Sequence, residues 1–129
     1  MTPNGNDPIR VLYVEDEKSL QFTTSQMLKA LGYVVECADN GRVGVEKAQS
    51  WQPDLILMDV RLPLLNGSDA IRELRNNPKT ARIPIFVLSA YTDAKTRDTC
   101  LNAGADRFFT KPPDVRKVDV AIKSVLRKV

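Results

Sequence analysis

The chain has 129 residues, a common size for one domain, and its 43% hydrophobic and 27% charged residues are the balance of an ordinary globular protein. Its formal net charge of +3 is small and shows no basic stripe or reading helix, so direct nucleic-acid binding is not expected. Histidine is absent, which excludes His general acid–base catalysis, Ser–His triads and His metal ligands together. Cys37 and Cys100 have no metal spacing and no C-x-x-C pairing, so they read as free thiols in a reducing compartment. Residues Met1 to Pro8 are polar, without the apolar stretch of a signal peptide, and no apolar run approaches the roughly 20 residues of a membrane span. The expectation is a cytoplasmic protein with no membrane contact, a flexible tail over 1–8 and one domain over 9–129.

Five short apolar runs recur along the chain: Val11–Val14, Tyr33–Cys37, Leu55–Met58, Ile85–Leu88 and Arg107–Phe109 with its flanks. Such runs match strands buried on both faces better than alternating strands with one wet face. Helical patterns lie between them. Leu20, Thr24, Met27, Leu28 and Leu31 share one helical face, and Gly32 is placed to end that helix. Val43, Val45, Ala48 and Trp51 follow Asn40-Gly41. Ala70, Ile71 and Leu74 make a third helix starting near Ser68, and a fourth runs from Ala94 to Ala103 and stops at Gly104. Val115, Val118, Ile122, Val125 and Val129 make the last, with Asp114 as its N-cap. Strand then helix, five times over, predicts an α/β fold: a doubly wound, five-stranded parallel sheet of (βα)5 type with helices on both faces and right-handed crossovers. The flavodoxin-like strand order 2-1-3-4-5 is expected.

In such a sheet ligands bind beyond the carboxyl ends of the strands. Those ends carry Glu15-Asp16-Glu17, Asp59, Ser89-Ala90 and Thr110-Lys111-Pro112. Singly, each has an ordinary explanation: a turn aspartate, acids suiting a helix dipole, a capping serine, a solvated loop lysine. Together they would place three carboxylates, a hydroxyl and an ammonium in one shallow pocket. Carboxylates that close repel, and a divalent cation relieves the repulsion. All-oxygen ligation favours a hard ion such as Mg²⁺, which in turn favours phosphoryl ligands.

The set Glu15-Asp16, Asp59, Ser89 and Lys111-Pro112 resembles the receiver domain of bacterial two-component response regulators, and is most like the single-domain chemotaxis regulators. The surrounding text agrees: Val11-Leu-Tyr-Val-Glu-Asp-Glu, Asp54-Leu-Ile-Leu-Met-Asp-Val-Arg-Leu-Pro, Asn66-Gly67, and Gly104-Ala-Asp-Arg-Phe-Phe-Thr-Lys-Pro. The resemblance implies that Asp59 is a phosphoacceptor, and that Asp16, Asp59 and the Arg61 backbone carbonyl ligate Mg²⁺ with Glu15 acting through a water. Lys111 and Ser89 would stabilise the phosphoryl oxygens. It further implies a switch through Ser89 and Phe108, where Phe108 stands in place of the Tyr or Thr of many relatives, and a cis Lys111–Pro112 bond. Arg61 and Tyr91 are expected to overhang the phosphoryl group and slow its hydrolysis. The implied partners are a sensor histidine kinase or histidine phosphotransfer protein and a downstream protein target that reads the surface of the fourth helix, fifth strand and fifth helix. The chain would be a monomer or a phosphorylation-dependent dimer, and a signalling switch rather than a turnover enzyme.

A non-phosphorylated receiver-like binding module is the main alternative. A dehalogenase-type hydrolase would need a second aspartate where Arg61 stands, and an FMN protein would need a phosphate loop where Glu15-Asp16-Glu17 stands. Met1 and the short tails favour a stand-alone regulator over a fragment of a longer regulator or hybrid kinase.

Overall fold

The computed structural model describes residues 7–62, 64–90 and 94–126. Five strands alternate with five helices: β1 (Arg10–Val14), α1 (Lys18–Ala30), β2 (Val34–Ala38), α2 (Gly41–Trp51), β3 (Leu55–Asp59), α3 (Gly67–Asn76), β4 (Ile85–Ser89), α4 (Ala94–Ala103), β5 (Arg107–Thr110) and α5 (Val115–Leu126). All strand pairings are parallel, in the order β2-β1-β3-β4-β5. This is the expected doubly wound arrangement.

Side chains alternate across a strand, so each strand feeds two apolar layers. Leu12, Val14, Ile56, Met58, Ile85 and Val87 pack with α2, α3 and α4 on one face. Val11, Tyr13, Leu55, Leu57, Phe86 and Leu88 pack with Leu28 of α1 and with Val118 and Ile122 of α5 on the other. β3 and β4 are buried throughout, as continuous apolar runs imply. The edge strands depart from that expectation. β2 alternates between exposed and half-buried residues up to its buried last residue, Ala38, and β5 is exposed at both ends, because each has a neighbour on one side only.

The helix boundaries follow local chemistry. Glu17 caps α1 by accepting from the Ser19 and Leu20 amides, and its bond to the Ser19 hydroxyl, with help from those amides, holds its carboxyl below the usual range. Asn40 and Asn66 cap α2 and α3 in the same manner. Gly32 and Gly104 follow α1 and α4 in the left-handed region, at φ 99° and 121°. The apolar face expected for α1 is rotated in the structure. Thr24, Ser25 and Leu28 are buried, whereas Met27 and Leu31 are 51% and 46% exposed, because the sheet contacts the stripe one residue further round the helix. Val129, expected to extend α5, lies outside the described residues, as do the first six residues of the expected tail.

One close approach ties α2 to the segment after β3. A Cβ built on Gly41 would lie 1.7 Å from the Leu65 carbonyl oxygen, so only glycine fits there without moving backbone. Gly41→Ala is expected to lower stability by about 3 kcal/mol through overpacking, read as a lower urea midpoint with unchanged slope.

Candidate functional site

The site forms where the parallel ladder ends. The Glu15 amide donates to the Ala38 carbonyl and the Lys111 amide to that of Ser89, so both residues continue the ladder one step beyond their strands. Asp59 is the last residue of β3 and is opposite Leu88. The two-residue alternation places Glu15, Asp59 and Lys111 in the row of Tyr13, Leu57 and Phe109, on the α1–α5 side. Ser89 follows the row of Val87 and therefore lies on the side of Phe108.

Carboxylate oxygens of Glu15, Asp16 and Asp59 all lie within 4.8 Å of one another. Glu15 and Asp59 are buried while Asp16 is exposed, so the cluster opens to solvent through Asp16. The Lys111 ammonium sits between the two buried acids, 2.7 Å from Asp59 Oδ2 and 3.1 Å from Glu15 Oε1. The Arg61 amide donates to Asp59 Oδ1 at 3.0 Å and the Glu17 amide to Glu15 Oε2 at 3.1 Å. Each oxygen of the two buried carboxylates thus has a donor nearby, from the segments after β1 and β3 and from the end of β5. The Lys111–Pro112 peptide bond is cis, as the resemblance implied.

The charges set the proton affinities. Burial pushes the Glu15 carboxyl above its ordinary value, and neighbouring Asp59 pushes the same way. The Glu17 amide and Lys111 only partly offset them. Burial alone would lower the Lys111 ammonium, but the hydrogen bonds and charges of Asp59 and Glu15 outweigh it and hold its pKa above normal. The donor set suits a hard divalent cation. It offers three carboxylates, no sulfur or imidazole, and an open side for water.

Ser89 is buried at the end of β4, and Phe108 is half-buried against the α4 layer. The structure therefore brings Glu15, Asp16, Asp59, Arg61 and Lys111 together, with Ser89 and Phe108 on the neighbouring row. Tyr91 lies outside the described residues. Two features escaped sequence reasoning. The buried Tyr13 hydroxyl lies 3.5 Å from Glu15 Oε1, yet a tyrosine within an apolar strand run signals only core. A cavity of about 680 Å³ runs from Asp16 and Arg61 past Ser68 to Lys95, Thr99 and Cys100 of α4. Its two walls come from segments remote in sequence, so no local pattern announces it.

The raised Glu15 carboxyl has a consequence for stability. A group whose folded pKa exceeds its unfolded one binds more protons when folded, so stability falls as pH rises through that interval. Glu15→Gln is expected to raise the urea midpoint at neutral pH in EDTA. The gain should shrink as pH approaches 4.5, the ordinary value for glutamate.

Comparison with known proteins agrees with this geometry. The family model described as "Response regulator receiver domain" matches residues 11–123. The chain is 33% identical over 119 residues to the DNA-binding dual master transcriptional regulator RpaA of Synechocystis, covering 92% of this chain and 49% of that protein. It is 34% identical over 119 residues to the alkaline phosphatase synthesis transcriptional regulatory protein PhoP of Bacillus subtilis, covering 92% and 49%. The chain thus spans about half the length of these curated relatives. Among solved structures, the receiver domain of the sensor histidine kinase PA1611 of Pseudomonas aeruginosa, described with a magnesium ion in its active-site cleft, superposes with a TM-score of 0.87 at 33% identity. That match covers 93% of this chain and 98% of that one. The chemotaxis response regulator CheY4 of Vibrio cholerae superposes with a TM-score of 0.85 at 28% identity, covering 92% and 99%. With its strand order, its acidic cluster and a family match over most of its length, this chain belongs to the response regulator receiver domain family of two-component signalling.

Proposed function

We propose that the chain is a phosphoacceptor switch: Asp59 takes a phosphoryl group from a phosphohistidine on a partner kinase or phosphotransfer protein, with Mg²⁺ bound beside it. The observation that carries this reading is the buried Asp59 carboxylate held between the Lys111 ammonium and the Arg61 amide, with Asp16 and Glu15 close by. In the transfer, an Asp59 oxygen forms the new P–O bond as the P–N bond to the partner's imidazole breaks, and the nitrogen keeps that electron pair. Such transfers need positioning and charge neutralisation more than proton chemistry, so the absence of histidine in this chain is no obstacle.

Asp16, Asp59 and the Arg61 carbonyl would hold the ion, with Glu15 acting through a water. The bound ion supplies positive charge against the phosphoryl oxygens. Lys111 supplies a second positive charge from the β5 side, and the Ser89 hydroxyl donates from the end of β4. Burial of Asp59 limits access of water to the acyl phosphate, and Arg61 overhangs it. Ser89 and Phe108 share one side of the sheet, so movement of Ser89 toward the phosphoryl group opens room for Phe108 to turn further inward. The result is a population shift in the surface formed by α4, β5 and α5, which a downstream protein reads. The role is a signalling one, without turnover of a diffusible substrate.

Incubation with acetyl phosphate and Mg²⁺ is expected to add the mass of one phosphoryl group to intact protein. The gain should vanish in EDTA and in Asp59→Asn. A gain that persists in Asp59→Asn would overturn the assignment; no gain in a folded, Mg²⁺-binding protein would point to a donor-selective receiver, and no gain without Mg²⁺ binding would favour a non-phosphorylated binding module. Mg²⁺ alone is expected to stabilise the fold by about 2.7 kcal/mol at one hundred times its dissociation constant. Asp16→Asn should remove most of that increment, as read from urea midpoints with and without the ion.

A further inference from the structure

One hydroxyl sits in the core where an apolar atom would pack as well. On the α1–α5 side of β1 the row runs Val11, Tyr13, Glu15, and Tyr13 packs in the layer of Leu28, Leu57 and Phe86. Its neighbours in register are Cys37 of β2 and Leu57 of β3, which offer it no oxygen. Phenylalanine would fill the same space, and a buried hydroxyl costs free energy unless it is hydrogen-bonded. Tyr13 is 0% exposed, so its hydroxyl depends on partners within the protein.

Two partners are in reach. Glu15 Oε1 lies 3.5 Å from the Tyr13 hydroxyl, and the buried Thr24 hydroxyl of α1 bonds it as well. A carboxylate only accepts, whereas a phenol both donates and accepts. The phenol proton therefore goes to Glu15, and Thr24 donates to the phenol oxygen.

The donors around Glu15 show what this contact adds. Oε2 has the Glu17 amide at 3.1 Å and Lys111 Nζ at 3.3 Å. Oε1 has Lys111 Nζ at 3.1 Å and the Tyr13 hydroxyl. Lys111 is closer to Asp59, at 2.7 Å, and in the phosphoacceptor reading it serves the phosphoryl oxygens. Tyr13 is then the donor left to Oε1 among the described residues. The 3.5 Å contact is long for an O–H···O bond while Lys111 shares that oxygen. Glutamate also has one more side-chain torsion than aspartate, so its carboxylate has more freedom to lose when it is held in one place.

We propose that Tyr13 is a positioning residue, whose buried hydroxyl aims the Glu15 carboxylate so that Glu15 can hold a water of the bound Mg²⁺. The inference rests on the reading of Glu15, Asp16 and Asp59 as the support of that ion, and it adds the residue that orients one of them. A group hydrogen-bonded to a metal's supporting residue fixes how that residue is aimed, and losing it weakens metal binding. Tyr13 acts through Glu15 alone, since the hydrogen bonds of its hydroxyl are those to Glu15 and Thr24.

The test is calorimetric titration of the unmodified chain with MgCl₂, with urea midpoints in EDTA to show that each variant folds. Tyr13→Phe keeps the ring and is expected to weaken Mg²⁺ binding about fivefold, the scale of one buried hydrogen bond. Tyr33→Phe is the control for a merely structural loss. Tyr33 is buried at the far end of the sheet from the cluster, next to the residue paired with Arg10, and its hydroxyl donates to Asp119 of α5. Its replacement should lower the urea midpoint and change Mg²⁺ affinity by less than about twofold. In a Glu15→Met background, where the acceptor is gone, Tyr13→Phe should likewise cost less than about twofold. Equal Mg²⁺ affinity in Tyr13→Phe and the natural chain would overturn the proposal. A full loss that persists in the Glu15→Met background would overturn it too, because the hydroxyl would then act by another route. Both outcomes leave the phosphoacceptor reading standing, whereas a natural chain that takes up no Mg²⁺ would overturn both.

Discussion

Lys111 stands between two buried carboxylates, and the architecture can be understood as what is required to put it there. Glu15 and Asp59 lie on neighbouring strands of a parallel sheet, where every strand ends at the same edge. Parallel pairing therefore concentrates acidic side chains in one place, against the tendency of like charges to separate. Burial makes the conflict sharper, since a desolvated carboxylate favours its protonated form. An ammonium brought from β5, two strands away from β3, offsets that conflict from the far side. Three carboxylates against one ammonium leave an excess of negative charge, which suits the cluster to a divalent cation.

The apolar layers give this arrangement its rigidity. β3 carries Asp59 and is buried along its whole length between helices on both faces. Fully burying side chains such as Leu55 or Leu57 stabilises the fold by roughly 1.5–3 kcal/mol each, so the strand carrying Asp59 is among the least able to move. Adaptability lies instead toward the β5 edge, where half the neighbours are missing. There Phe108 is only half-buried, and Arg97, Arg116 and Lys117 of the flanking helices are exposed. The acidic cluster thus sits at the end of the fixed centre of the sheet, beside a less constrained margin.

Much of this was legible from residue order. Apolar runs separated by helical spacing identified the ten elements, and the Asn40, Gly32 and Gly104 boundaries were readable because capping and left-handed turns depend on single residues, whereas the third helix, expected to start near Ser68, starts at Gly67 with Asn66 as its cap. The rotated face of α1 was not readable. Met27 and Leu31 fit the helical stripe as well as Leu28 does, and only the position of the sheet decides which of them is covered. The difference between β2, half-exposed, and β3, fully buried, likewise depends on how many neighbours each strand acquires.

The sequence by itself determined the alternation of elements, the acids and lysine at the strand ends, and the chemical type of the site, because these depend on residue identity and local spacing. The tertiary structure decided what those residues do to one another. Which carboxylates are buried, that Lys111 bridges two of them, and that the Tyr13 hydroxyl approaches Glu15 are relations among residues up to 96 positions apart. Electrostatic and packing energies depend on distance in space, and distance along the chain carries that information only after the fold has formed.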